Sequence, residues 1–486
     1  MTIDTSRAGV ASADAGTVWS DTQALMRNVA DWMGSNVEAG VSISGLGITN
    51  QRETTVFWDA ETGEPLTEAI LWLDRRTEAT IDAWKAGGIA ADEQARLQRA
   101  TGLPLACYFS NGKIHHALNE VPAVAAAAAA NRLRVGTIDS WLMYRLSGKQ
   151  DHLIEVSNAS RTGLMDLKTR EWDEGALSTF GVPRGVLPRI VESSSPCLTR
   201  INCGSPLDGV PITGVLGDQQ AALLGQGCVE AGDVKCTYGT GCFMLQNTGT
   251  TVHPSQSGLL TTVGWQLGAG APITYALEGA IAVCGAGINW LIKDLGLVSS
   301  VQELNAEAES VSDTNGCTFV PVLAGLMAPH WREEARGVLL GLSQSTRRGH
   351  VCRAFLQGLA CQVVDVATAM EADSGTAVRS LKVDGGVTKS NLLMQLQADL
   401  LRCTVLRAAD EEATCRGALY AAMLGAGSIK TLGEVAALSA GASTSFSPGV
   451  HIAEEAGVKA VMGDWAAALS KTYDSDEGPA AKKQKK

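Results

Sequence analysis

Residues 210–225 read Val-Pro-Ile-Thr-Gly-Val-Leu-Gly-Asp-Gln-Gln-Ala-Ala-Leu-Leu-Gly. The stretch Val210 to Leu216 has the character of a half-buried strand, and after Gly217 the apolar positions regroup as they do on a helix. A strand that turns directly into a helix is the repeating unit of an α/β architecture. Asp218 falls at the join, where the helix dipole stabilises negative charge. A carboxylate there is placed to take a proton from a hydroxyl or to hold a magnesium ion. An ordinary N-cap uses the same residue type, so Asp218 acquires meaning only from its surroundings.

The same pattern recurs on either side. Val41 to Ile48 alternates apolar and small residues, then runs into the polar Thr49-Asn-Gln-Arg-Glu-Thr54, a strand end that delivers charge to an edge. Arg52 and Glu53 there are a donor and an acceptor suited to neighbouring hydroxyls of a polyol. Arg134 to Ile138 is another short strand, with Asp139 or Ser140 placed to cap the helix that follows. Downstream, Val234 to Leu245 has hairpin character around Tyr238-Gly-Thr-Gly241. Arg353 to Met370 is helical. Leu381 to Val383 is a strand opening onto Asp384-Gly-Gly386 and a helix through Leu400.

Two glycine turns in one half suggest a nucleotide held by loop amides and the Thr240 hydroxyl, since no GxxxxGK[ST] occurs. Trp72, Tyr108 and Phe243 suit a small pocket or the core equally well. A composition shift near 222–230 divides the chain into an N-terminal domain, 1–225, and a C-terminal domain, 226–472. A polar tail, 473–486, ending KKQKK reads as disordered.

A chain of 486 residues implies roughly two to four domains. The net charge of −12 argues against a nucleic-acid or anionic-membrane surface. Twelve cysteines without a CxxC pair or zinc spacing, and a first segment without an apolar signal region, read as a reduced, cytoplasmic protein. No apolar run approaches the ~18 residues of a membrane span, and the run Ala125 to Ala130 suits a short helix.

Taken together, the strings GITNQRETTVFWD, ILWLDRRT, TGLPLACYFSNGK, GTIDSWL, SNASRTGLMDL, GDQQAALLGQG, TYGTGCFMLQNTG, LLTTVGW, YALEGAI and VDGG resemble, in content and order, the glycerol kinases of the FGGY carbohydrate kinases. The resemblance runs from about Ala15 to about Gly425. It implies two actin-like, ribonuclease-H-like domains around a cleft, with ATP on the C-terminal domain and glycerol mostly on the N-terminal one. By position, Arg52, Glu53, Trp72, Tyr108, Asp218, Gln219 and Phe243 match glycerol-binding residues. Asp218 matches the general base and is the metal-side carboxylate. Thr240, Gly285, Asn289, Gly386 and Ser390 match nucleotide contacts. Mg²⁺ is expected with ATP, and a homo-oligomer is expected from the family's habits. The alternatives are a catalytically impaired relative with a binding role and a kinase for another small polyol.

The chain also departs from the pattern. The family's D-x-G-T-[ST]-[ST] turn has no counterpart before Ala15, so slow turnover is expected of these 486 residues. Glu155 stands for an aspartate, Asn289 for a glutamine and Ser390 for an asparagine. Arg332 and Arg416 place charge where the family has GLGAPYWD and an apolar helix. Asn202 to Asp208 lacks the loop that binds a sugar bisphosphate, so no such control is expected.

Overall fold

The computed structural model describes residues 3–4, 9–38, 40–410 and 412–473. Of the tail expected over 473–486, only Tyr473 lies within them. The α/β reading holds, with strands and helices alternating through two halves, each built on its own sheets.

The sheet that positions the site has three strands, in the order Leu46–Asn50, Pro211–Gly217, Ser194–Arg200. The first two are parallel, and Gly217 lies opposite Asn50. Both strands therefore end at the same edge, which brings Arg52 and Glu53 beside Asp218 although 166 or so residues of chain separate them. The expected strand begins at Leu46 and not at Val41. Residues before Leu46 have no strand partner, and Val41 is 59% exposed. A second, antiparallel sheet in this half orders Ile3–Asp4, Ser12–Ala13, Ala69–Ile70, Thr55–Asp59 and Leu133–Thr137.

The C-terminal half is built on seven strands. Their order is Leu260–Gln266, Ile273–Ile281, Cys242–Gly249, Val234–Tyr238, Ser380–Asp384, Thr404–Ala408, Ser443–Phe446. The expected hairpin is present, with Tyr238 opposite Cys242 across the Gly239–Gly241 turn. Val234–Tyr238 runs parallel to Ser380–Asp384, with Thr237 opposite Asp384, so both glycine turns leave the same edge. The helix Arg348–Ser374 covers this sheet and buries Phe355, Leu359, Val363 and Val366 against it.

The helix Ala413–Gly425 belongs to the second half in sequence but packs on the first. Thr213 Oγ1 donates to the Ala422 carbonyl at 3.0 Å. Against the helix Asp218–Gly225 the contact is backbone to backbone. A Cβ on Gly417 would fall 1.8 Å from the Ala221 carbonyl oxygen, so only glycine permits the approach.

Asp139 does not cap its helix. The N-cap is Thr137, and Asp139 sits inside the first turn, fully buried. Its carboxylate is occupied elsewhere, accepting from Thr137 Oγ1 and from the Glu155 amide at 2.9 Å. The alanine run forms the helix Pro122–Ala129. None of the twelve cysteines is in a disulfide, and no helix among the described residues is long and apolar enough to cross a membrane.

Candidate active site

The backbone at Glu53 is unusual. Its φ is +58°, a left-handed conformation that a non-glycine residue adopts only when its surroundings hold it there. Three donors do so: Ser110 Oγ at 3.2 Å, Lys113 Nζ at 3.1 Å and Thr55 Oγ1 at 3.0 Å all reach the Glu53 carbonyl. Lys113 is itself fully buried and also donates to the Tyr108 carbonyl at 2.8 Å. Burial pulls its ammonium pKa down to about 8, against the attraction of Glu53.

The side chains of Arg52 and Glu53 are buried, 2% and 1% exposed. Arg52 Nε is 3.2 Å from Asp218 Oδ1. Its two terminal nitrogens fork onto Glu278, at 2.5 and 2.9 Å. Glu53 Oε1 accepts from Arg161 Nε at 2.6 Å, and Arg161 NH2 continues to Glu278 at 3.1 Å. The result is a chain of alternating charge: Asp218, Arg52, Glu278, Arg161, Glu53. Burial alone would lower the Arg52 pKa, but Glu278 and Glu53 outweigh it and hold the guanidinium charged. Burial raises the Glu53 carboxyl, with Arg161 and Arg52 pulling the other way. In Glu278 the same two arginines prevail over burial, and its pKa lies below the usual carboxylate range.

Asp218 opens the helix Asp218–Gly225, whose N-cap is Gly217. Of the three carboxylates in this series of linked charges it is the accessible one, with 32% of its side chain exposed. Its Oδ1 accepts from the Gln219 amide at 2.7 Å, so it does not do the work of an N-cap two or three residues ahead. Burial pushes its pKa up, opposed by Arg52 and Lys235. Lys235, fully buried on the strand Val234–Tyr238, donates to Gln219 Oε1 and to Thr237 Oγ1 at 3.0 Å.

Trp72, Tyr108 and Phe243 come together as walls. Trp72 meets Tyr108 edge to face at 5.8 Å between centroids, and Phe243 at 5.9 Å. They share one apolar cluster with Leu103 and Leu260. Burial and the Glu53 charge raise the Tyr108 phenol above its ordinary pKa, so it is a neutral donor at any working pH.

The nucleotide candidates gather at the edge of the seven-stranded sheet. Gly285 N–H donates to the Gly239 carbonyl at 3.0 Å, and Cys284 and Ala286 N–H donate to the Thr240 carbonyl at 2.9 and 3.0 Å. Gly385 stands against Tyr238, and a Cβ there would fall 2.4 Å from its carbonyl oxygen. Thr240, Asn289 and Gly386 are exposed. Ser390 is different: it is 4% exposed, its hydroxyl donates to Asn305 Oδ1 at 2.6 Å, and it caps the helix Asn391–Leu401. The Gly285 amide and the Ser390 hydroxyl are thus engaged within the protein. Arg416, an apparent intrusion in the sequence, caps the other end of the Asp218 helix, with Nε donating to the Gly225 carbonyl at 3.0 Å. Arg332 stacks over Tyr473 at 5.2 Å.

Arg161, Glu278, Lys113 and Lys235 carry the site and were not among the expected residues. A usable signal exists for Glu278: it is the one charge in the strand Ile273–Ile281. Among the described residues no group of three or more His, Cys, Asp or Glu is placed to hold a metal.

The profile described as "FGGY family of carbohydrate kinases, N-terminal domain" matches residues 1–225, and that of the C-terminal domain matches 234–426. A glycerol kinase of Methylorubrum extorquens (strain PA1) is 46% identical over 429 residues, 88% of this chain and 83% of that protein. Glycerol kinase 2 of Streptomyces avermitilis is 46% identical over 425 residues, 87% and 82% of the two chains. The crystal structure of Plasmodium falciparum glycerol kinase with ADP superposes with a TM-score of 0.90 at 32% identity, covering 97% of this chain and 92% of that one. A gluconate kinase from Lactobacillus acidophilus shares the fold, with a TM-score of 0.82 at 18% identity. The paired domains, the shared strand edge and these matches place the chain in the FGGY family of carbohydrate kinases.

Proposed function

We propose that the chain transfers the γ-phosphoryl group of ATP to glycerol, giving sn-glycerol 3-phosphate and ADP. The observation that carries this reading is the position of Asp218. It is a reachable carboxylate at a helix N-terminus, tied to Arg52 at 3.2 Å. Its helix is tied through Gln219 to Lys235, on the strand that leads into the Gly-Thr-Gly turn.

Glycerol is offered both an apolar cluster and polar side chains by the site. Its carbon edge fits against Trp72 and Phe243, and its hydroxyls fit the tips of Arg52, Glu53, Gln219 and Tyr108. Asp218 accepts the proton of the terminal hydroxyl as that oxygen bonds to the γ-phosphorus and the bond to the β-phosphate oxygen breaks. A carboxyl pKa raised by burial makes Asp218 a stronger base than a surface aspartate. Thr240, Asn289 and the Gly385–Gly386 turn are suited to the nucleotide.

Mg²⁺ in such sites takes one or two carboxylates together with phosphate oxygens and water. One reachable carboxylate, Asp218, fits that mode, and Mg²⁺ would neutralise charge on the phosphates.

A coupled assay of ADP release from Mg-ATP, run with glycerol, xylulose and gluconate in turn, tests the substrate. Release should depend on glycerol and saturate with it. A higher kcat/KM with either sugar substrate would overturn glycerol, and binding of glycerol without release would favour the binding role.

A further inference from the structure

We infer that Glu278 and Arg161 are positioning residues for the glycerol site, and that Glu278 ties the geometry of Arg52 to the nucleotide half of the molecule. The inference rests on the glycerol reading above.

Neither residue is within reach of a ligand, since both are 0% exposed. They act through Arg52 and Glu53. Glu278 receives a two-pronged fork from Arg52, at 2.5 and 2.9 Å, which fixes the plane of the guanidinium as well as its position. Arg161 spans the two carboxylates, 2.6 Å from Glu53 and 3.1 Å from Glu278. Its orientation comes at the expense of a donor: NH1 is buried without a hydrogen-bond partner, beneath the rings of Tyr108 and Phe109, each 5.6 Å from the guanidinium carbon. A buried unsatisfied donor calls for an explanation, and a side chain held by two carboxylates and two rings supplies one. Packed apolar side chains would join these surfaces at lower desolvation cost than four buried ions. What ions add is fixed geometry.

Glu278 also differs from the rest of the chain of charges in where it comes from. It sits on the strand Ile273–Ile281, in the sheet of the C-terminal half. That strand pairs without a bulge from Ala276 opposite Asn247 to Ile281 opposite Cys242. Phe243, a wall of the glycerol pocket, lies opposite Ala280 in the same register. Past Ile281 the chain reaches Cys284 and Gly285, whose amides hold the Thr240 and Gly239 carbonyls at 2.9 and 3.0 Å. One continuous strand therefore holds the partner of Arg52 within it and leads, past its end, to the amides that grip the Gly-Thr-Gly turn. A ligand that fixes the Gly-Thr-Gly turn biases Glu278, and by reciprocity glycerol biases the turn.

The test is calorimetric titration of glycerol, without ADP and with saturating ADP, for the wild type, Glu278→Gln and Arg161→Lys. The wild type should bind glycerol more tightly in the presence of ADP. Glu278→Gln should weaken glycerol binding by about tenfold or more and bring the two titrations within about twofold of each other. Its affinity for ADP alone should stay within about twofold of wild type. Arg161→Lys, which keeps the charge but cannot span both carboxylates with two nitrogens, should move in the same direction, and Glu278→Asp should recover part of both effects. If Glu278→Gln does not fold, Arg161→Lys and Glu278→Asp are read by the same criteria. Variants that melt earlier yet keep the wild-type glycerol affinity and its response to ADP would overturn the positioning role and leave glycerol as substrate. A wild type that does not bind glycerol at all would overturn both.

Discussion

At the scale of residues, the legible part of the site was the chemistry that strand ends deliver. Arg52, Glu53 and Asp218 lie just past strand ends, and a strand end is where a sequence shows what it presents at a sheet edge. The partners these residues meet across the fold were not legible. Arg52 and Glu278 are 226 positions apart, and nothing local in YALEGAI says which cation its glutamate meets. Glu155 illustrates the same limit: it reads as a mild change from aspartate, yet its carboxylate accepts from the Ser157 and Asn158 amides at 2.8 and 3.1 Å and from Ser193 Oγ at 2.5 Å. Through Ser157, whose Oγ accepts from the Gly217 amide at 3.1 Å, it supports the turn before Asp218. Burial raises the Glu155 pKa from 4.5 to about 7. A raised carboxyl makes the folded state bind a proton that the unfolded state releases. Its contribution is therefore full below about pH 4.5 and is lost as pH rises through 7. Comparing urea unfolding of wild type and Glu155→Gln isolates this group. From pH 4.5 to 7.5 the wild type should lose on the order of 3 kcal/mol relative to the variant. A pH-independent difference would contradict the assignment. At the pocket wall, Trp72→Ala should raise the glycerol KM about tenfold or more and leave ADP affinity unchanged, measured by steady-state kinetics and titration.

At the scale of elements, the strand Pro211–Gly217, the helix Asp218–Gly225 and the Gly-Thr-Gly hairpin were legible, because period and glycine placement are local properties. The contact between the helices Asp218–Gly225 and Ala413–Gly425 was not, because it depends on two glycines nearly 200 positions apart meeting each other's neighbours. A Cβ on Gly225 would fall 1.9 Å from the Ala413 carbonyl oxygen, as one on Gly417 would from Ala221. Gly417→Ala has no contact with either substrate but must push the Asp218 helix away. Chemical denaturation should show a loss of about 1–3 kcal/mol, accompanied by a fall in kcat. A variant as stable and as active as wild type would mean that the interface yields without moving Asp218.

At the scale of the whole molecule, the two-half α/β architecture followed from the alternation of strands and helices, whereas the crossing of the chain between halves did not. The helix Ala413–Gly425 packs on the first half, and Glu278 reaches into it from the second. Both depend on three-dimensional proximity that no local pattern encodes. This arrangement leads to a thermal prediction. Glycerol at about 100 times its Kd should stabilise the fold by about 2.7 kcal/mol, visible as a rise in melting temperature that Asp218→Asn largely retains. Glycerol-dependent ADP release in wild type and Asp218→Asn, with glycerol affinity measured in parallel, decides whether Asp218 is the base of a glycerol phosphotransferase. The substitution should lower turnover by about 10²-fold or more while glycerol affinity changes only a few-fold. Wild-type turnover in Asp218→Asn, or release of ADP indifferent to glycerol, would contradict that assignment.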